Sequence, residues 1–399
     1  MSLIDTAEAL KPAEPDKIRA EESDGHLTLY HDSWPVSITD DYTEFIKFFG
    51  YDPDVWEVEN QGTMSKWQQS KGRADGGRDV IWLYSYRGVK FRKITPDDLL
   101  TEKQFEDAVG SAKLWAVNPL PRKSLGSGLG TPVTYVMHQG DTQIGKGEGG
   151  GIEGLDERLI RGLEATVEDI KYHLKAGRNI EAIADVNSGD IVENIFGHYE
   201  TQTLTTATMR AQYAFAVESE IRRIRALSEF SLPIVLPRTP SNHGEHRTSV
   251  GGRAISTESD NLDLQIAESV KRVLQETPVD DQLEWIIPHD DPFTRFTLST
   301  VGCVLSHGHK IEKNVEAGVT AHHHAMVNEG FNPKIFFLGH KHHFFVKELG
   351  CGCSIIQSPS QDGGSPYFFH MTGKKNNSGL LGLIVSPEFK AGFGHITFL

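Results

Sequence analysis

Cysteine is scarce in this chain. Cys303, Cys351 and Cys353 are the only three in 399 residues. An odd number in so long a chain excludes a disulfide framework and fits a reducing compartment. No apolar run approaches the roughly 20 residues that span a bilayer. Met1-Ser2-Leu3-Ile4-Asp5 has no basic segment leading into an apolar core, so no secretory leader is read there. The expected location is the cytoplasm, with no membrane partner. Positive charge is also in deficit: 40 Lys and Arg against 55 Asp and Glu leave a net charge of −15. That balance argues against broad, sequence-independent DNA binding. It leaves room for a local basic patch, or for bound cations that supply the positive charge themselves. What remains is an ordinary globular composition, 38% hydrophobic and 24% charged. The length suffices for two or three domains with a sizeable core.

Residues 1–23 are rich in Ala, Glu, Asp, Pro and Lys and have little to bury, so a disordered tail is expected. Residues 24–118 read as a small α+β module. It has a short helix from Thr43 to Phe49 closed by Gly50, and strands at 54–58 and 80–86. A basic segment follows, with Arg87, Lys90, Arg92 and Lys93 interleaved with Val89 and Phe91. Aromatics beside basic residues on a strand can form a nucleic-acid platform. The competing reading is a half-buried strand with a solvated face. Residues 119–131, with two prolines and repeated Gly and Ser, read as a linker.

From 132 to 399 the pattern is α/β. Leu155, Leu159, Leu163, Val167, Ile170 and Leu174 keep helical spacing, with Gly177 at a C-capping position. Further helices are predicted over about 205–228 and 261–275, and short apolar strands alternate with them. The tail from Phe345 to Leu399 reads as several strands. The loop Gly145-Lys146-Gly147-Glu148-Gly149-Gly150-Gly151 is too glycine-rich to be regular and is expected to be mobile over a site. It is no phosphate loop, since no Gly-Lys-Ser/Thr ends it.

Polar clusters follow five of the apolar segments, each at an expected strand C-terminus. In order they are Gly140-Asp141-Thr142-Gln143, Gly189-Asp190-Ile191-Val192-Glu193-Asn194, Ser241-Asn242-His243-Gly244-Glu245, Ser306-His307-Gly308-His309 and Gly339-His340-Lys341-His342-His343. One such cluster means little. Five in order are the pattern of a metal site in a layered α/β protein. Carboxylate and amide oxygens with imidazole nitrogens, and no thiolate, suit Mn²⁺, Fe or Zn²⁺. The donors outnumber the needs of one ion. Two ions about 3.5–4 Å apart sharing a carboxylate suit in-line displacement at phosphorus. A histidine beside them could protonate the leaving oxygen.

The ordered set resembles the calcineurin-like metallophosphoesterase superfamily over about residues 132–399. The resemblance implies a four-layer α/β/β/α sandwich. It implies one cation held by Asp141, Asp190 and His342 and a second held by Asp190, Asn242, His307 and His340. His243 and Asp190 would then be the catalytic residues, with attack by a hydroxide bridging the ions. Gln143 stands where the superfamily has a histidine ligand, a weaker donor. Glu193 replaces a second aspartate and, with Asn194, would support the ligands from behind. Arg247 and His309 are candidates for substrate binding. Gly140 to Lys146, taken with Ser241 to Glu245, also resembles members encoded by bacteriophages. That would place the protein in a host cytoplasm and favours a DNA nuclease or phosphodiesterase. A phosphoprotein phosphatase or small-nucleotide phosphoesterase is the alternative. A non-catalytic, metal-stabilised binding protein is a third, more distant reading.

Several histidines and cysteines fall outside this set. His138, His198 and His289 read as structural or exposed. His322-His323-His324 lies on an expected helix, where consecutive residues face different ways. Cys351-Gly352-Cys353 lacks the second pair that would complete a zinc site of the usual spacing and reads as a reduced pair on a strand.

Overall fold

The computed structural model describes residues 18–23, 26–34, 42–53, 55–60, 62–72, 78–93, 130–195, 205, 207–248, 252–275, 277–311, 314–364 and 377–399. The chain divides into two compact units, Met1–Leu99 and Leu100–Leu399. Residues 1–17 of the expected tail and 119–129 of the expected linker lie outside the described residues.

Among the described residues, the first unit is an antiparallel sheet with one short helix. Its elements are β1 (Ile18–Ser23), β2 (His26–Trp34), α1 (Thr43–Phe48), β3 (Trp56–Asn60), β4 (Thr63–Gly72) and β5 (Arg78–Lys93). The sheet order is β1-β2-β5-β3, with β4 also paired to β5. Leu27 and Leu29 alternate inward along β2 and pack with Phe45 and Ile46 of α1 and with Trp56, Tyr86, Val89 and Phe91. Two expectations are corrected here. Residues 18–23, expected within a disordered tail, form β1. It is held by antiparallel main-chain pairing to β2 from Ile18↔His31 to Ser23↔His26. Its side chains are mostly exposed, so no apolar alternation announced it. The basic segment, in turn, is the second half of β5. Val89 and Phe91 are wholly buried in the core, which removes Phe91 as a stacking surface and leaves the half-buried strand. Arg87, Lys90 and Lys93 are exposed, with Arg87 3.4 Å from Asp32.

Among the described residues, the second unit has two mixed sheets. Its strands are β6 (Val133–Gln139), β7 (Ile180–Asn187), β8 (Ile234–Pro237), β9 (Leu283–Ile286), β10 (Thr294–Leu298), β11 (Val301–Ser306), β12 (Ile335–Leu338), β13 (Phe345–Glu348), β14 (Ser354–Gln357), β15 (Leu381–Val385) and β16 (Phe393–Phe398). One sheet runs β16-β15-β6-β7-β8-β9 and the other β10-β11-β12-β14-β13. β6 to β9 are mutually parallel, as are β11, β12 and β14. The helices are α2 (Gly151–Lys175), α3 (Met209–Ser228), α4 (Leu262–Leu274) and α5 (Val315–Asn328).

Strand alternation sorts the core into three clusters. Tyr135, Met137, Ile183, Ile234 and Leu236 face the apolar stripes of α2, α3 and α4. Their neighbours Val136, Ala184, Val186 and Val235 face Cys303, Leu305, Ile335, Phe337 and Ile356 of the other sheet. The opposite side of that second sheet, Val304, Phe336, Leu338 and Ile355, packs on Val319 and Met326 of α5. Three of the helices, α3, α4 and α5, start where the sequence offers caps. Thr208, Asn261 and Asn314 accept N–H bonds from Ala211, Asp263 and Ala317 at 3.2 Å each. Gly177 stops α2 at φ 84°. The parallel strands therefore deliver the polar clusters to their shared C-terminal edge, where crossover loops must turn.

Candidate metal centre

Two of those loops are laced together by main chain. The N–H groups of Asp141, Gln143 and Ile144 donate to the carbonyls of Gly189, Asp190 and Ile191 at 2.9 Å each. Gly189 adopts φ 88°, and a Cβ there would come within 2.8 Å of Ser241 and 3.3 Å of His307 Nδ1, so only glycine fits. Asp141, Gln143, Asp190, Asn194, His340 and His342 all adopt positive φ, six of the eleven non-glycine cases among the described residues. Such conformations persist only where surroundings impose them, and their concentration here marks these loops as a candidate functional site.

Asp190 lies at the middle. Its side chain is 1% exposed. It belongs to two groups whose ligand atoms lie within 4.8 Å of one another, Asp190–His307–His340 and Asp141–Asp190–His342. His307 Nε2 is 3.1 Å from Asp190 Oδ2. His307 Nδ1 donates to the Ser188 carbonyl at 2.8 Å, which fixes the tautomer and turns Nε2 inward. His340 Nδ1 is 3.2 Å from His307 Nε2. The His340 N–H donates to both Asp141 oxygens, at 3.1 and 2.9 Å. His342 Nε2 is 3.2 Å from Asp141 Oδ1, and its Nδ1 is 3.2 Å from Asp362 Oδ2.

Asn242 is buried, and its Oδ1 has no hydrogen-bond partner among the described residues. A buried amide oxygen left unpaired is costly, and a cation beside Asp190 would satisfy it. The next residue, His243, donates its N–H to Asp190 Oδ1 at 3.0 Å and its Nδ1–H to the Glu193 carbonyl at 2.9 Å. Its Nε2 faces Asp190 Oδ2 at 3.8 Å. Glu193 is buried within 3.6 Å of the same ring. Asn194 Nδ2 donates to the His243 carbonyl at 2.8 Å, so this pair holds the histidine turn from behind.

Burial raises the Asp190 pKa, but His243 and His307 outweigh it and hold the carboxyl well below its ordinary range. Burial disfavours charge on His307 and His342 too. Asp190 nevertheless lifts His307 to about 9, and Asp141 and Asp362 lift His342 to about 10. His340, desolvated and beside His307, drops to about 2. Protons on these two imidazoles thus offset the charge of the acidic cluster.

The structure departs from expectation at Gln143, at Arg247 and in the glycine-rich loop. Gln143 is buried at the centre, but its Oε1 accepts from Lys146 Nζ at 3.0 Å, so the amide faces an ammonium. Arg247, expected to meet substrate, directs its guanidinium to Glu245 Oε2 and to the Gly252 carbonyl. His309 is near, 5.4 Å from the His307 ring, with Nε2 3.7 Å from Glu245. The glycine-rich loop expected to be mobile is tethered. Arg158 donates to the carbonyls of Gly149 and Gln361, and Lys146 reaches Asp362 Oδ2 at 2.6 Å.

Three residues escaped the sequence reading. Asp362 follows β14 and the polar run Ser358 to Gln361, a sixth strand-end cluster that its apolar strand could have signalled. Lys146 gave no sign of burial within its glycines. Asp263, in the first turn of α4, accepts from Ile191 N and Ser241 Oγ. Burial beside Asp190 pushes its pKa up to about 7.

No protein-family model matches the chain, and no curated protein is similar to it. Among solved structures it is similar to Vps29 from Entamoeba histolytica complexed with zinc, at 11% identity, over 66% of this chain and 97% of that one, with a TM-score of 0.28. It is likewise similar to an uncharacterized predicted phosphoesterase from Streptococcus pneumoniae, at 10% identity, over 67% and 89%, with a TM-score of 0.27. Likenesses this distant carry no weight for function, which rests on the residues above.

Proposed function

We propose that the second unit is a two-cation phosphoester hydrolase of the calcineurin-like metallophosphoesterase type. The observation that carries the reading is Asp190, shared by two ligand groups and bonded to the backbone of His243. The three core clusters support reading the second unit as the four-layer α/β/β/α sandwich. Asp190, Asn242, His307 and His340 would hold one divalent ion, and Asp141, Asp190 and His342 the other. Oxygen and imidazole donors without thiolate fit Mn²⁺, and also Fe or Zn²⁺. When bound, such ions supply Lewis-acid polarisation of phosphoryl oxygens and an activated water at neutral pH.

The chain's own part is positioning and proton handling. The Glu193 carbonyl keeps the Nδ1 proton of His243, so Nε2 is the nitrogen that exchanges a proton at the site. Burial opposes charge on this ring, but Asp190 and Glu193 raise its pKa above the ordinary value. Nε2 is thus the nitrogen placed to donate to a leaving oxygen. Asp141 and Asp362 orient His342, and Ser188 orients His307.

For substrate we propose a nucleic-acid phosphodiester. The bacteriophage-like motif pair and the exposed Lys90 and Lys93 of the first unit support it. A small-nucleotide monoester or phosphoprotein is the second reading, favoured by the net charge of −15 and the burial of Phe91. The test is Mn²⁺-loaded full-length protein on single- and double-stranded DNA beside a chromogenic diester and a chromogenic monoester, over a salt series. Cleavage of DNA that weakens with salt supports the first reading. Turnover of the monoester alone supports the second, and no hydrolysis of any ester overturns the enzymatic reading.

A further inference from the structure

We infer that His323, Cys351 and Cys353 form a separate site for a thiolate-seeking divalent cation such as Zn²⁺, at the edge of the second sheet opposite the candidate centre. β11, β12 and β14 run parallel and deliver His307, His340 and Asp362 from their C-terminal ends. Cys353 immediately precedes β14, at its other end, where Ser354 pairs with Ile335. The site thus shares the sheet with the centre but none of its residues.

The three ligand atoms lie within 4.8 Å of one another. Both sulfurs come from the turn between β13 and β14. This turn is closed by Leu349 N–H to Cys353 O at 2.8 Å and Gly352 N–H to Leu349 O at 3.0 Å. Gly352, at φ 88°, lets the two flanking side chains point the same way. Their sulfurs are 3.2 Å apart. A tetrahedral zinc with Zn–S near 2.3 Å needs about 3.8 Å between sulfurs, whereas a disulfide needs about 2.05 Å. The observed spacing is closer to the chelate.

The independent sign of a ligand is His323. It reaches the turn from α5 and is 5% exposed, and neither ring nitrogen has a hydrogen-bond partner among the described residues. Its neighbours on α5 do not compete. His322 packs on Phe293 with ring centroids 4.3 Å apart, and His324 is exposed. Phe331, Leu349 and Ile355 belong to the same apolar cluster as the two cysteines, and Cys351 is half-buried, so the site is partly open to solvent. On binding, two thiols release two protons to solvent and two sulfurs and one nitrogen bond the cation. No electrons move and no oxidant is needed. Sequence spacing hid the site because its third ligand is about thirty residues away, on a helix.

The test uses the full chain, reduced and freed of metal, titrated with Co²⁺. Oxygen and imidazole ligands at the other centre give no thiolate-to-cobalt charge-transfer absorption, so that band in the near ultraviolet reports this site alone. We expect its final intensity to correspond to one thiolate-bound ion per chain, and we expect it to disappear on adding Zn²⁺ and to be lost in Cys351→Ser/Cys353→Ser. It should weaken in His323→Gln. Zn²⁺ should also protect Cys351 and Cys353 of the wild-type chain from alkylation, mapped by mass spectrometry, which keeps the proposal testable if the double variant misfolds. Cobalt binding with no such band overturns the proposal, as does a Cys351–Cys353 disulfide that forms in air at the same rate with and without Zn²⁺.

Discussion

The backbone N–H of His243 donates to Oδ1 of Asp190 at 3.0 Å. The carboxylate common to both candidate cation groups therefore also fixes the turn that carries the candidate proton donor. In His243→Asn the backbone donor survives and only the ring is lost. Turnover should fall by roughly 10²–10⁴-fold with cation content unchanged. The loss should be smaller for esters with good leaving groups, which need no proton. Wild-type turnover in this variant would remove His243 from the chemistry.

Cation affinity should rise with pH. His307 and His342, lifted to about 9 and about 10 in the metal-free chain, must release their protons to bind a cation. Between pH 6.5 and 9 affinity should then climb by up to about tenfold per pH unit for each proton released. Calorimetry in buffers of different ionisation enthalpy counts those protons. The metal-free fold should behave oppositely. Both imidazoles have folded pKa values above the ordinary 6.5, so their stabilisation is full below that pH. It is lost as pH rises through about 9 and then 10. A denaturation midpoint that is flat over this range would contradict both assignments.

Lys146 should govern the first cation position. Its Nζ lies 3.0 Å from Gln143 Oε1 and 2.6 Å from Asp362, so Gln143→His alone places an imidazole beside an ammonium and should tighten binding little. With Lys146→Met added, affinity should rise by more than the two single effects combined. A coupling of about 0.5–3 kcal/mol is expected for groups in contact. Additive effects would mean that Gln143 and Lys146 act independently.

Much of this centre was legible because each ligand follows a buried parallel strand, and apolar runs ending in Asp, Asn or His are visible without a structure. Asp190, His307 and His340 converge for that reason. Lys146 and Asp362 were not legible as partners: 216 residues separate them, and neither type signals burial. Arg247 shows the converse limit, since its charge suggested substrate while Glu245, two residues earlier, takes it up. In the first unit β2 alternates buried and half-buried residues, yet its histidines and aspartate obscured the period. β1 is held by main chain, which composition does not report.

A second buried charge cluster supports the fold rather than the site. Arg238 bonds Asp185 at 2.9 Å and Glu220 at 2.7 Å, with Arg223 completing the set. Arg238→Met leaves two buried carboxylates sharing one guanidinium and should cost about 3–5 kcal/mol, measured by urea unfolding. The activity of the folded fraction should be unchanged.

The central claim is that Asp190 is shared by two cations. The direct measurement is metal content by mass spectrometry, with ester hydrolysis in parallel, for wild type and Asp190→Ala after loading with Mn²⁺. The account predicts about two equivalents in the wild type, with both depleted and hydrolysis abolished in the variant. Loss of only one equivalent, or full occupancy with turnover retained, would contradict it.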